Sequence, residues 1–202
     1  VVAAEKAIRL ANAGIKTLLL CHNPLLAQWL AQLTSQSMVD VRAFEDLVGE
    51  LAVDPQSAGR WSNYSQPTSA QLEKALAGLL DGDPPFQAVI VDEGQDFADD
   101  WWPIVEACLP NSSESTLYVF FDERQSLLPN RMQLPPSGWP LSLSRNCRNA
   151  GRIYDVMRHL SPGSPLPDEK LRDLGHVEFF RSARLRDAVG EALKWCDSLG
   201  VV

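Results

Sequence analysis

The feature that most limits the fold is Ala88-Val89-Ile90-Val91, four apolar residues in a row, closed abruptly by Asp92-Glu93. A strand with one wet face alternates apolar and polar residues, whereas an unbroken apolar run of strand length buries both faces. Comparable runs stand at Lys16–Cys21 and Thr116–Phe121. Between them lie helix signals. Residues 1–13 form an amphipathic helix closed by Gly14, with Glu5 and Arg9 spaced as an i,i+4 pair. Pro24 opens a helix to about Leu33, Met38–Arg42 reads as a short strand, and Phe44–Leu51 as a helix. Residues 53–67 have loop composition, and Thr68 with Gln71 makes a capping box for a helix bearing Leu72, Ala75, Leu76, Leu79 and Leu80. Asp99–Leu109 is a further helix. Short apolar strands alternating with helices predict an α/β fold on a parallel sheet. Ligands of such sheets bind beyond the carboxyl ends of the strands, which is where Asp92, Glu93 and Asp122 fall.

The 202 residues suffice for one full core and part of another, with 45% hydrophobic and 22% charged residues. No apolar run approaches the roughly 20 residues that span a bilayer, so no membrane partner is expected. Cys21, Cys108, Cys147 and Cys196 lie far apart, with no Cys-x-x-Cys pair. That spacing suggests neither a zinc site nor a disulfide framework, and reads as thiols in a reducing cytoplasm. His22, His159 and His176 are too scattered for a metal site. The net charge of −8 argues against binding nucleic acid by bulk electrostatics. The charge is uneven, however. Residues 1–140 carry 8 Lys and Arg against 18 Asp and Glu, while residues 141–190 carry 9 against 6. The change of sign follows a stretch with Pro129, Pro135, Pro136 and Pro140, and predicts two domains, 1–140 and 141–202, with a small helical insert near 43–81 in the first. In the second, Leu141–Arg148 and His176–Phe180 read as extended segments, Arg152–Leu160 and Ser182–Gly200 as helices.

An apolar strand ending in Asp-Glu can offer one carboxylate to a Mg²⁺ shell and a second to an attacking water. On Asp-Glu alone, a buried strand that simply ends in an acidic turn is an equal reading. The continuation narrows the choice, because Asp92-Glu93-Gly94-Gln95-Asp96 resembles motif II, Asp-Glu-x-Gln-Asp, of superfamily 1 DNA helicases of the UvrD/Rep type. Further resemblances follow in the family's order. Leu18–Cys21 with His22-Asn23-Pro24 resembles motif Ia, which in the family touches single-stranded DNA, and Val41-Arg42-Ala43-Phe44 resembles motif Ib. Tyr118–Phe121 with Asp122-Glu123-Arg124-Gln125 resembles motif III, with Phe121 in place of the usual Gly. Leu143–Arg148 resembles motif IV, whose Arg meets the γ-phosphate; its Asn146-Cys147-Arg148 points to the branch found with nuclease-related domains. A β–turn–α unit explains motif Ib equally well, and a solvated turn explains motif III or IV taken singly.

The resemblance implies a RecA-like P-loop NTPase domain with an incomplete parallel sheet, then the start of a second RecA-like domain. It implies ATP and Mg²⁺ as cofactors, with Asp92, Glu93, Gln95, Gln125 and Arg148 at the nucleotide. Asp92 would hold Mg²⁺, Glu93 would polarise water, Gln125 would sense the γ-phosphate, and Arg148 would contact it. His22 and Asn23 would touch nucleic acid. The implied partners are single-stranded DNA, or duplex DNA with a single-stranded tail, and the remaining helicase domains, including a nuclease-like one. Val1–Ala7 resembles the helix after a phosphate loop, so that loop and motifs V and VI are expected to lie outside these residues. By itself the chain is then expected neither to bind ATP tightly nor to hydrolyse it. The base-stacking aromatics that the family carries after motif III are missing from Leu127-Leu128-Pro129-Asn130-Arg131, and at least one of Trp101 and Trp102 is expected to pack in the core. Two alternatives stay open, a non-hydrolysing binding or regulatory module on the same fold and an RNA-directed superfamily 1 enzyme.

Overall fold

The computed structural model describes residues 2–52, 66–111, 113, 115–122, 141–142, 150–160 and 185–198. The chain divides into two compact units, Val1–Gly138 and Trp139–Val202. In the first, helix α1 (Val2–Asn12) leads to strand β1 (Thr17–Cys21), helix α2 (Pro24–Leu33), strand β2 (Asp40–Ala43) and helix α3 (Phe44–Leu51). Helix α4 (Ser69–Asp81), strand β3 (Ala88–Val91), helix α5 (Trp102–Ala107) and strand β4 (Thr116–Val119) follow. The described helices of the second unit are α6 (Gly151–Leu160) and α7 (Leu185–Ser198). The extended segments expected at Leu141–Arg148 and His176–Phe180 fall largely or wholly outside the described residues.

The sheet is four-stranded and all parallel, in the order β2-β1-β3-β4. This layout is compatible with a Rossmann- or RecA-like arrangement. Strand alternation sorts the core into two layers. Leu18, Leu20, Val89 and Val91 face α3, α4 and α5, where Phe44, Leu47, Val48, Leu72, Ala75, Leu79, Trp101 and Ile104 complete one cluster. Leu19, Cys21 and Ile90 face the other way, onto Ala3, Ala4 and Ala7 of α1 and Ala27 and Leu30 of α2. The alanine stripe of α1 lets its backbone approach the sheet closely. The helical segment after β2 is thus part of the main core, since α3 packs on α4 and α4 on α5.

Local signals in the sequence act as expected. Gly14 takes a left-handed φ of 81° and ends α1, while Arg9 Nε donates to Glu5 Oε1 at 2.8 Å. The backbone N–H of Thr68 donates to Gln71 Oε1 at 2.9 Å, and Gln71 N returns a bond to Thr68 Oγ1 at 3.4 Å. Two elements are shorter than their patterns predict. The helix expected from Asp99 opens as a 3-10 turn, Asp99–Trp101, and α5 proper starts at Trp102 with Pro103 in its first turn. Strand pairing of β4 stops at Val119, although Phe120 N still donates to Val91 O at 2.8 Å. Among the described residues, no helix is long and apolar enough to cross a membrane.

Thr68→Ala removes the cap acceptor and leaves the first turn of α4 without it. Urea denaturation is expected to show a loss of about 1 kcal/mol, with Thr68→Ser close to the parent.

Candidate functional site at the carboxyl ends of the strands

Because all four strands run the same way, the residues that leave β1, β3 and β4 gather along one rim of the sheet. His22 and Asn23 follow β1, Asp92 and Glu93 follow β3, and Asp122 lies just beyond β4. The turn after β3 is anchored on both sides. Asp92 N donates to Leu20 O, Phe120 N to Val91 O and Gly94 N to Phe120 O, each at 2.8 Å. The acids therefore stand on a backbone stitched to both neighbouring strands.

Glu93 has φ 56° and ψ 46°, and it is the only non-glycine residue with positive φ among those described. For a residue with a Cβ, that left-handed conformation costs roughly 1–2 kcal/mol and persists only where its surroundings enforce it. Two neighbours do so. Gly94 has no side chain, and a Cβ there would lie 2.5 Å from Val119 Cγ1 and 3.5 Å from Phe120 O. Gln95, 3% exposed, donates from Nε2 to Glu93 Oε2 at 2.6 Å and accepts at Oε1 from Asp122 N at 3.0 Å.

The electrostatics of the rim are acidic. Burial pushes the Asp92 carboxyl up, and the Glu93 charge adds to it. Burial, reinforced by Asp92, Glu93 and Asp46, pushes the Cys21 thiol up to about 12. Cys21 is thus an inert core thiol whose Sγ lies 3.4 Å from Asn23 O. His22 is pulled down from the ordinary imidazole value by burial, against an opposing pull from Asp96. Among the described residues, no group of three or more His, Cys, Asp and Glu side chains is placed to hold a metal.

Of the residues singled out from sequence, Asp92, Glu93 and Gln95 come together in one turn. Gln95 spends both ends of its amide on the protein, a role that the motif alone does not disclose. His22 sets its ring edge-on to Trp101, 5.2 Å between centroids, and so joins an aromatic group in which Trp101 stacks on Phe44 at 4.3 Å and meets Phe97 edge-on at 5.5 Å. Asn23 caps α2, its Oδ1 accepting from Leu25 N at 2.8 Å and Leu26 N at 3.3 Å. Trp101 and Trp102 are both buried. Arg42 of the motif Ib segment is paired with Asp40 and Glu50. Gln125 and Arg148 lie outside the described residues. Sequence reading missed the left-handed Glu93 and the close approach at Gly94. The one available signal was a glycine set directly after a strand-ending acid.

No protein-family model, no curated protein and no solved structure matches this chain.

Gly94→Ala forces its new methyl against Val119, and is expected to cost about 1–3 kcal/mol in urea denaturation. Val119→Ala in the same chain should recover part of that loss, because the clash is with a Val119 methyl. Asp92→Asn probes the half-buried carboxyl. A group whose folded value is raised stabilises below its unfolded value and loses that contribution as pH rises through the folded one. The Asn variant should therefore match the parent near pH 4 and gain on it as pH rises, in thermal melts taken from pH 4 to 8.

Proposed function

We propose that this chain is part of an ATP-dependent DNA helicase of superfamily 1, cytoplasmic, built on a RecA-like P-loop NTPase fold, and contributes the carboxylates of its nucleotide site. The observation that carries the reading is the turn after β3. Two carboxylates leave an inner strand of a parallel sheet, one of them on a strained backbone held by a buried amide. Strain of this kind gathers at working sites. The order of the helicase-like motifs along the chain supplies the choice of reaction.

The residues present fit a Mg²⁺–ATP pair. Mg²⁺ takes one or two protein carboxylates and fills its shell with waters and phosphate oxygens, so a single Asp92 serves it. Asp92 is disfavoured as an anion by burial, and a neighbouring dication reverses that preference. When bound, Mg²⁺ neutralises charge on the transferred phosphoryl group. Asp92, its backbone fixed by the bond to Leu20 O, would hold the ion, and Glu93 would present a carboxylate to the attacking water. Gln125 reports the γ-phosphate, while Arg148, a planar fork, suits phosphate oxygens better than a lysine. His22 and Asn23 lie on the same rim. Their present bonds make Asn23 a helix cap first, so its contact with single-stranded DNA falls to the exposed remainder of the residue.

The test uses a polypeptide in which this chain follows a phosphate loop, as the resemblance implies. Glu93→Gln should keep nucleotide affinity and lose hydrolysis; Asp92→Asn should also weaken Mg²⁺-dependent binding. Arg148→Ala should lower kcat by about 10³-fold or more with ATP affinity little changed, and Arg148→Lys should rescue poorly. Gln125→Ala should blunt stimulation by single-stranded DNA more than the basal rate. Phosphate release with and without DNA, beside nucleotide titration, measures all four. Parental turnover in Glu93→Gln and Asp92→Asn would remove these acids from the mechanism.

A further inference from the structure

We propose that Gln95 is a positioning residue that ties the Glu93 carboxylate to the backbone of Asp122, just beyond β4. The polarity of the two partners carries the argument. Glu93 Oε2 can only accept a hydrogen bond when ionised, and Asp122 N can only donate one. A group set between them must donate at one end and accept at the other. A primary amide does both in one orientation; a carboxylate, an ammonium or an apolar side chain does not.

Location adds a second argument. Thr17, Thr34 and Gln95 are the buried polar residues among those described. The two threonine hydroxyls bond to carbonyls of their own neighbourhood, Ile15 O and Leu30 O. Gln95 instead reaches 27 residues along the chain to Asp122. The backbone bond from Gly94 N to Phe120 O runs parallel to that contact, so the turn after β3 is fixed to the end of β4 at two points. The Glu93 carboxylate and the Asp122 backbone are therefore held to one amide, beside that backbone bond. This rests on the helicase reading only for what Glu93 does to water; the clamp itself stands on the geometry.

The test exchanges donor and acceptor in this chain, without nucleotide. Q95E places a second carboxylate against Glu93 and should lower the folding equilibrium constant roughly tenfold or more at pH 7. E93Q alone should cost less, because an amide carbonyl still accepts from Gln95. The double exchange E93Q/Q95E restores a donor facing an acceptor and leaves an oxygen to accept from Asp122 N. It should recover most of the Q95E loss in urea denaturation, and the Asp122 amide should exchange as slowly as in the parent. Additive effects, within about twofold in the equilibrium constant, would overturn the clamp, because a merely space-filling Gln95 gives no such rescue. If Q95E does not fold, the double variant decides: folded, it upholds the clamp; unfolded, it overturns it. A successful exchange, with no ATP hydrolysis by the polypeptide that carries a phosphate loop ahead of this chain, leaves the clamp and sinks the helicase reading. A failed exchange beside DNA-stimulated hydrolysis does the reverse.

Discussion

Hydrogen bonds that run past the end of β3 decide what the rim of the sheet can be. In a parallel sheet an inner strand offers its backbone to both neighbours, and here the pairing outlasts the apolar residues. Asp92 N reaches Leu20 O on one side, while Phe120 N and Val91 O, then Gly94 N and Phe120 O, close the other. The chain must turn sharply within that frame. It does so by placing Glu93 in the left-handed region, with a glycine following where a side chain would strike Val119. Both acids therefore inherit their positions from the ladder, and the buried Gln95 extends the same frame to a side chain.

That arrangement works against stability. A left-handed Glu93 and a half-buried Asp92 each oppose folding, and Cys21 beneath them lies in the same negative field. What offsets these costs is ordinary packing on both faces. On one, Phe44, Phe97 and Trp101 stack and meet edge-on below His22. On the other, the alanines of α1 allow close contact with Leu19 and Ile90. Such local penalties are tolerated because the scaffold around them is well packed.

Much of the first unit could be read from residues alone. Continuous apolar runs, the Thr68–Gln71 capping box, Pro24 and Gly14 are short-range signals, and each has its counterpart in the structure. Boundaries were less legible where local preference competes with tertiary bonding. Asp99–Trp101 follows a helix pattern and yet forms a 3-10 turn, because Trp101 is drawn into the aromatic group on Phe44. Asn23 carried a nucleic-acid reading from its motif, while the structure uses its side chain to cap α2.

By itself the sequence determined that this chain forms a parallel α/β sheet with acids at the carboxyl end of a fully buried strand. Periodicity, caps and strand-ending residues are properties of neighbours along the chain, and a linear reading recovers them. Only the tertiary structure decided the strand order, the left-handed Glu93, and the amide of Gln95 spanning Glu93 and Asp122. These depend on which backbone groups remain free once the strands have paired, and on contacts between residues 27 positions apart. No local pattern encodes such a contact. It exists only after β4 has been laid beside β3.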